Sequence, residues 1–377
     1  MEQHETTSLL IWEKEPLMRL LAAKFTPVSL GICFITCISL PMCILAALYQ
    51  PTFFINVSWS ITVVFLMPFL VGLGYKYYME IPKLFDHLFD NAFEDTPDEK
   101  RADFYRWLDT RFNHYAWTLL TLLVPFSLTL IFFYQKQSAC THGWMIGGEW
   151  LNFGSRGSDN CGFTGFGLIA ALVQLVMSYW CANLALRAII CYWGLYELFE
   201  NRKKWNFRVK INPLHPDRCC GLGRIGDVAM LFNVIIFIIG IYVSLTVIDK
   251  ILLQHAAPFA DITVPVYLGG YLLIAPLLFF LPLGSARLTM KQAKIDFLRP
   301  ISDKCEQLAT TSGTDSAVET SPAVSAYFEL DKLRIQLAKE IPVWPFDFKS
   351  FMQFAGAIVV PVSPVLGTLL IELGRYL

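Results

Sequence analysis

The side chains best suited to chemistry gather in one string, Leu214-His215-Pro216-Asp217-Arg218-Cys219-Cys220-Gly221-Leu222-Gly223-Arg224. An imidazole, a carboxylate and two thiols stand there within six residues, and each is a potential metal ligand. A tetrahedral ion needs donors that converge from separated positions, commonly as spaced pairs. Four crowded donors without a CxxC pair do not converge easily, so no metal or other cofactor is expected. A structured turn accounts for the string instead. His-Pro-Asp makes the turn, Gly221 and Gly223 allow close backbone approach, and Arg218 and Arg224 meet lipid headgroups. His215, Pro216, Asp217, Arg218, Gly221 and Gly223 are therefore read as a structural motif, a hinge before the following apolar stretch.

Other chemistry is thin. HExxH, GxSxG and GxxxxGK[ST] do not occur in the chain. The six histidines, His4, His87, His114, His142, His215 and His255, all fall in tails, loops or at the edges of apolar stretches. No apolar stretch carries an ionisable residue, whereas ion-coupled carriers usually keep one inside the bundle. What these stretches do carry is proline: Pro41, Pro68, Pro125, Pro265, Pro276, Pro282, Pro361 and Pro364. Pro361 and Pro364 remove two backbone donors within one turn, which makes them the candidate helix break or gate. Cys140 and Cys161 share a loop rich in Gly, Ser and Asn, and form a candidate disulfide if that loop meets an oxidising compartment. Cys33, Cys37, Cys43, Cys181 and Cys191 lie in apolar helices, where packing is the expected role.

The elements that must position these residues follow from composition. Of 377 residues, 55% are hydrophobic and only 16% charged, with 30 Phe, 15 Tyr and 10 Trp; mean hydropathy is +0.48. Soluble proteins carry about 25% charged residues, so the composition points to an all-α polytopic membrane protein. The net charge of −1 gives no reason to expect a nucleic-acid partner. A spanning helix needs about 20 apolar residues. Seven stretches qualify: Val28 to Tyr49, Phe53 to Gly74, Tyr115 to Tyr134, Phe163 to Leu186, Val228 to Ile248, Val264 to Leu283 and Phe351 to Ile371. The first is too long and proline-broken for a signal-peptide core and is read as a retained helix.

Lysine and arginine set the expected orientation. Of the 30, 26 fall in segments 1–27, 75–114, 187–227 and 284–350, and 4 in the alternate segments, including loop 135–162. Positive residues stay cytoplasmic, so the N-terminus is expected inside and the C-terminus, in segment 351–377, outside. The pairs of spans then occupy 28–74, 115–186 and 228–283, over a helical cytoplasmic layer. In 75–114, Phe85, Leu88, Phe89 and Phe93 recur at helical spacing, and Thr96-Pro97-Asp98-Glu99 reads as a capping box starting a helix that continues into span 3. Span 4 is expected to run past the membrane, with Arg187 snorkelling to headgroups and Tyr192, Leu195 and Leu198 extending its stripe. In 284–350 two stripes predict a hairpin: Ile295, Leu298, Ile301, Cys305 and Leu308, then Tyr327, Leu330, Leu333, Leu337 and Ile341.

His-Pro-Asp is also the signature of a J-domain, which needs a regular basic helix before it. Here Asn206 to Pro213 alternates and ends in proline, which predicts an extended segment instead. Together with Trp344-Pro345-Phe346-Asp347 before the last span, the string resembles a set of uncharacterised bacterial inner-membrane proteins. Their pattern is H-P-D-[RK]-x-G-G-L-G before one span and P-F-D before a proline-bearing last span; Cys220 stands here in place of the first Gly of the pair. The resemblance implies a bacterial inner membrane and carries no activity. The functional expectation is a non-enzymatic conduit, a channel or membrane-perturbing effector gated from the cytoplasmic side. The alternative is a membrane-anchored sensor or scaffold that binds a cytoplasmic protein partner, or a second copy, through its inner helices. A membrane enzyme ranks third. The lipid bilayer is the one partner that composition itself requires.

Overall fold

In lipid, a backbone must satisfy its own N–H and C=O groups, and the apolar stretches of this chain do so as helices. The computed structural model describes residues 25–49, 60–94, 97–130 apart from 118, 124, 128 and 129, 165–200, 202–205, 207–209, 215, 219, 221–248, 251, 263–312, 322–341, 343–344 and 348–376. Among the described residues, five helices are long and apolar enough to cross a membrane: Pro27–Leu48, Thr62–Asn91, Ala171–Glu200, Gly223–Ile248 and Phe351–Ile371. The expected stretch Tyr115 to Tyr134 falls partly outside the described residues, and those described from 115 onward are helical or adjoin helix. Val264 to Leu283 opens a much longer helix, within which Leu268–Leu277 is a shorter apolar run.

Helix α1 joins Pro27–Phe34, a π-helical turn Ile35–Ser39 and Leu40–Tyr49. Thr26 caps it. The Thr26 hydroxyl accepts the Ser29 N–H at 3.2 Å, the Ser29 hydroxyl accepts the Thr26 N–H at 2.7 Å, and Pro27 follows where no donor is needed. Helix α2 repeats the device, with a π-helical turn Thr62–Leu66 leading into Met67–Asn91. The two pack along each other. The polar segment expected to form a separate first helix after span 2 is therefore the continuation of α2.

Beyond α2 come the short strand β1 (Phe93–Glu94), helix α3 (Asp98–Phe112), helix α4 (Gly165–Glu200), helix α5 (Arg202–Trp205) and strand β2 (Arg208–Val209). β1 and β2 pair antiparallel, Phe93 against Val209, a two-residue exception to an otherwise helical architecture. The extended reading of Asn206 to Pro213 includes β2. Rings hold this layer together: Phe89 packs on Phe93, Phe104, Tyr105 and Phe207 with centroids 5.4 to 5.8 Å apart. Phe85, Leu88, Leu195, Leu198 and Phe199 are buried with them. On its surface Arg101 bridges Asp86 (2.7 Å) and Asp90 (2.9 Å), and Tyr105 donates to Asp86 at 2.5 Å.

Two expectations fail here. Pro97 stands at the N-cap of α3, not at its first helical position, and no side chain caps it; the acidic Asp98 and Glu99 at the positive end of the helix dipole supply the favourable start. Nor does α3 run on into span 3. It ends at Asn113, whose side chain and N–H both bond Asp109, and His114 restarts the chain by accepting the Ala116 N–H on Nδ1 at 3.3 Å.

Helix α6 (Gly223–Ile248) is central and packs on α2, on α7 (Thr263–Ser312) and on α9 (Phe348–Tyr376). Helix α7 has 50 residues and would measure about 75 Å if straight. Its second half meets α8 (Pro322–Glu340). Lys294 donates to the carbonyls of Ala338 and Ile341, so the arms are antiparallel and of similar length, and the expected hairpin is present. Its stripes are less buried than expected. Cys305 and Ile341 are buried, but Ile295 and Leu333 are exposed, because α8 packs mainly on α7 alone.

Candidate functional site

Prolines in the spans leave backbone acceptors without their donor, and two of them, Pro41 and Pro68, follow a π-helical turn. In both π-helical turns the closing N–H reaches five residues back: Leu40 to Ile35, and Met67 to Thr62. A proline follows immediately, Pro41 or Pro68. The Val63 carbonyl loses its α-helical donor, Met67, to Thr62, and its π-helical donor would be Pro68, which has no N–H. Ser39, buried on α1, fills the gap with its hydroxyl at 2.7 Å. A defect in α2 thus becomes a cross-link to α1.

The same logic governs α9, which stays helical through Pro361 and Pro364. Pro361 leaves the Ala357 carbonyl without its partner, and the Tyr271 hydroxyl of α7 donates to it at 3.2 Å. Pro364 leaves the Val360 carbonyl free, and the Ser363 hydroxyl takes it at 2.9 Å. Ser244 of α6 donates to the Pro361 carbonyl itself. Glycine makes the junction possible: a Cβ on Gly240 would lie 2.3 Å from the Tyr271 hydroxyl oxygen and 3.1 Å from the Pro361 Cβ. Pro361 and Pro364 therefore leave carbonyls that hydroxyls serve, and α9 is gripped there by α6 and α7.

Of the His-Pro-Asp string, Pro216, Asp217, Arg218 and Cys220 lie outside the described residues, as do Cys140 and Cys161. His215 is half-buried. Gly221 has φ 87°, and a Cβ there would sit 3.1 Å from the Asn91 carbonyl, so this turn needs glycine twice over. Leu222 closes the turn on the Cys219 carbonyl at 3.0 Å, and Gly223 opens α6. Arg224 faces acidic side chains. It pairs with Glu80 of α2, and lies 3.8 Å from Asp227. The string so far as described is docked on the far end of α2.

Arg187 is a correction. It does not snorkel: only 3% exposed, it donates to the Phe112 carbonyl and to Asn183 Oδ1 (3.3 Å), and sits over the Phe112 ring. Asn183 Oδ1 also accepts from Tyr78 at 3.2 Å. In the layer, burial works against the charge of Arg101, but its bonds to Asp86 and Asp90 outweigh that and hold its pKa above the usual value. Burial pushes the Tyr105 hydroxyl up as well, and its bond to Asp86 pushes further. Among the described residues, no three His, Cys, Asp or Glu side chains gather as a metal site.

Sequence reasoning singled out Pro361 and Pro364 but missed Gly240, Ser244, Tyr271 and Ser39. The available signal was a tyrosine or serine inside an apolar stretch, where its hydroxyl must find an acceptor. Set against known protein families, curated proteins and solved structures, the chain matches none.

Proposed function

We propose that the protein is a gated membrane conduit, a channel or membrane-perturbing effector, controlled from the face that carries the α7–α8 hairpin. One observation supports this best. Helix α7 runs unbroken from the apolar run bearing Tyr271 into the hairpin, so displacement of the hairpin is transmitted to the bond on the Ala357 carbonyl. Helix segments whose backbone acceptors are served by a neighbouring helix are where membrane helices can change shape. The reading takes the chain as seven-spanning in a bacterial inner membrane with its N-terminus inside. The 26 to 4 division of Lys and Arg and the resemblance at the His-Pro-Asp string support that placement.

Reconstituted in liposomes, wild-type protein or Tyr271→Phe should release a small trapped anionic dye or dissipate a potassium gradient faster than protein-free vesicles. Vesicles that stay as tight as the controls with both proteins would overturn the reading. A second reading, a membrane-anchored scaffold, is favoured by the exposed apolar side chains of the hairpin, with Phe328 at 65% exposure and Leu333 and Ile335 beside it in sequence.

A further inference from the structure

A different surface combines rings and cations beside the ends of two apolar stretches. The Arg187 guanidinium bonds the Phe112 carbonyl, which ties the end of α3 to the point where α4 leaves its apolar stretch. Three residues after Phe112 the chain turns apolar again, with Tyr115, Leu119 and Leu122 exposed. Both segments change from apolar to polar sequence near Phe112 and Arg187, so residues 107–115 and 187–196 lie beside the ends of two apolar stretches. There α4 presents Ile189, Trp193 and Tyr196, spaced one turn apart and 47%, 37% and 52% exposed.

The Trp193 ring packs edge-on against Trp107 at 6.2 Å, and Trp107 against Trp205 at 6.0 Å. Arg111 lies over Trp193 at 4.7 Å and over Trp107 at 5.9 Å. Lys204 lies over Trp205 at 5.0 Å and over Trp107 at 5.6 Å. Two acids temper the charge: Glu197 holds Lys204 at 2.8 Å and Asp103 holds Arg106 at 3.0 Å. Arg111 has no ion pair among the described residues. From Arg202 to Lys210 the chain carries five basic residues and no acidic one.

We propose that this Trp107–Trp193 patch, with Arg111 and Lys204 on its rings, is a docking surface for anionic phospholipid headgroups. Tryptophan and tyrosine settle at headgroup depth because one side of the ring is apolar and the other can hydrogen-bond. Basic residues next to a span gain about fivefold each in affinity for an anionic leaflet. Rings that carry the cations hold them at the surface, so the charge meets phosphate without being buried. The hairpin has exposed apolar groups but no comparable placement. The inference needs only the membrane-spanning reading, and stands or falls apart from the conduit.

The intact protein, reconstituted in phosphatidylcholine vesicles, is probed with a small fraction of brominated phosphatidylglycerol or brominated phosphatidylcholine. Tryptophan emission should be quenched several-fold more effectively by the brominated phosphatidylglycerol, and 0.5 M salt should shrink that preference. Arg111→Gln with Lys204→Gln should reduce the preference to near unity, and Arg111→Lys with Lys204→Arg should keep it. Equal quenching by the two lipids in the wild type would overturn the proposal, whatever the variants do. So would an undiminished preference in the glutamine variant with an unchanged size-exclusion profile.

Discussion

The aromatic layer of α2, α3, α4 and the β pair and the proline junction of α6, α7 and α9 are built on different forces. In the layer, Phe104 alone touches Phe85, Phe89, Tyr105, Trp107, Trp205 and Phe207. Ionic side chains such as Arg101, Asp86 and Asp90 face outward around it. Burying such rings from water contributes about 1.5–3 kcal/mol each. At the junction that force is missing, because lipid is as apolar as the side chains it would replace. What holds α9 there is the close approach at Gly240 and the hydroxyls of Tyr271 and Ser244 on carbonyls of α9. The layer is therefore stabilised by volume, and the junction by acceptors that proline has exposed.

The largest break in this comparison is Phe104→Ala. The ring is fully buried, so its loss combines lost transfer energy with an unfilled cavity, about 3–5 kcal/mol. Thermal unfolding of the detergent-solubilised protein, followed by size exclusion, should show a larger loss than any single substitution at the junction. Tolerance of Phe104→Ala would mean that the layer is not a packed unit.

Next comes Gly240→Ala. The added methyl overlaps Tyr271 and pushes it off the Ala357 carbonyl, costing about 2–3 kcal/mol from overpacking and the orphaned acceptor together. The same methyl meets no neighbouring element at Gly269 or Gly270 among the described residues, where nothing beyond the helix's own backbone lies within 4 Å of it. Gly269→Ala should gain up to about 1 kcal/mol from helix propensity. Equal effects at Gly240 and Gly269 would mean that close approach does not hold the junction.

Alkaline pH probes the layer without mutation. The folded pKa of Tyr105 lies above its unfolded value near 10, because burial and the Asp86 bond both favour the neutral hydroxyl. Its contribution is therefore full below pH ~10 and is lost as pH rises through the folded value. Melting in wild-type protein should fall between pH ~10 and ~11, and Tyr105→Phe should flatten that fall. An identical slope in both proteins would assign the alkaline sensitivity elsewhere.

The layer was the more legible region. Phe85, Leu88 and Phe89, and later Tyr192, Leu195 and Leu198, show helical spacing and are buried on helices; Phe93, expected to continue the first stripe, is buried too but lies in strand β1 past the helix end. Periodicity works there because one face meets water and the other meets rings. It fails in α6, which is apolar nearly all round, so little in it reports which face meets a neighbour. Arg187 was misplaced for a related reason. A lone arginine at the end of a span reads as a headgroup contact, and its acceptor, the Phe112 carbonyl, is 75 residues away and has no side-chain signature. Pro361 was visible as a missing donor, but the hydroxyl that replaces it stands 86 residues distant from the carbonyl it serves.

The smallest effect is also the sharpest test. Tyr271→Phe removes one hydroxyl and little volume. An unsatisfied buried carbonyl costs about 1–3 kcal/mol by the general rule. Hydrogen bonds measured between membrane helices average nearer 0.6 kcal/mol, since unfolded helices in lipid also find partners. The expected loss falls between the two figures, about 1 kcal/mol, because the acceptor sits among helices in a bilayer but is buried against a proline that cannot serve it. A loss of that size could come from packing alone, so the cycle with Pro361→Ala decides it. Alanine restores the N–H that reaches back four residues to Ala357, and the carbonyl then needs no second donor. Tyr271→Phe should thus cost less beside Pro361→Ala than in the wild type, with a coupling of about 0.5–1 kcal/mol. If the two losses simply add, the tyrosine hydroxyl is not what replaces the proline's missing donor, and the contrast between a layer held by volume and a junction held by acceptors fails at its central contact.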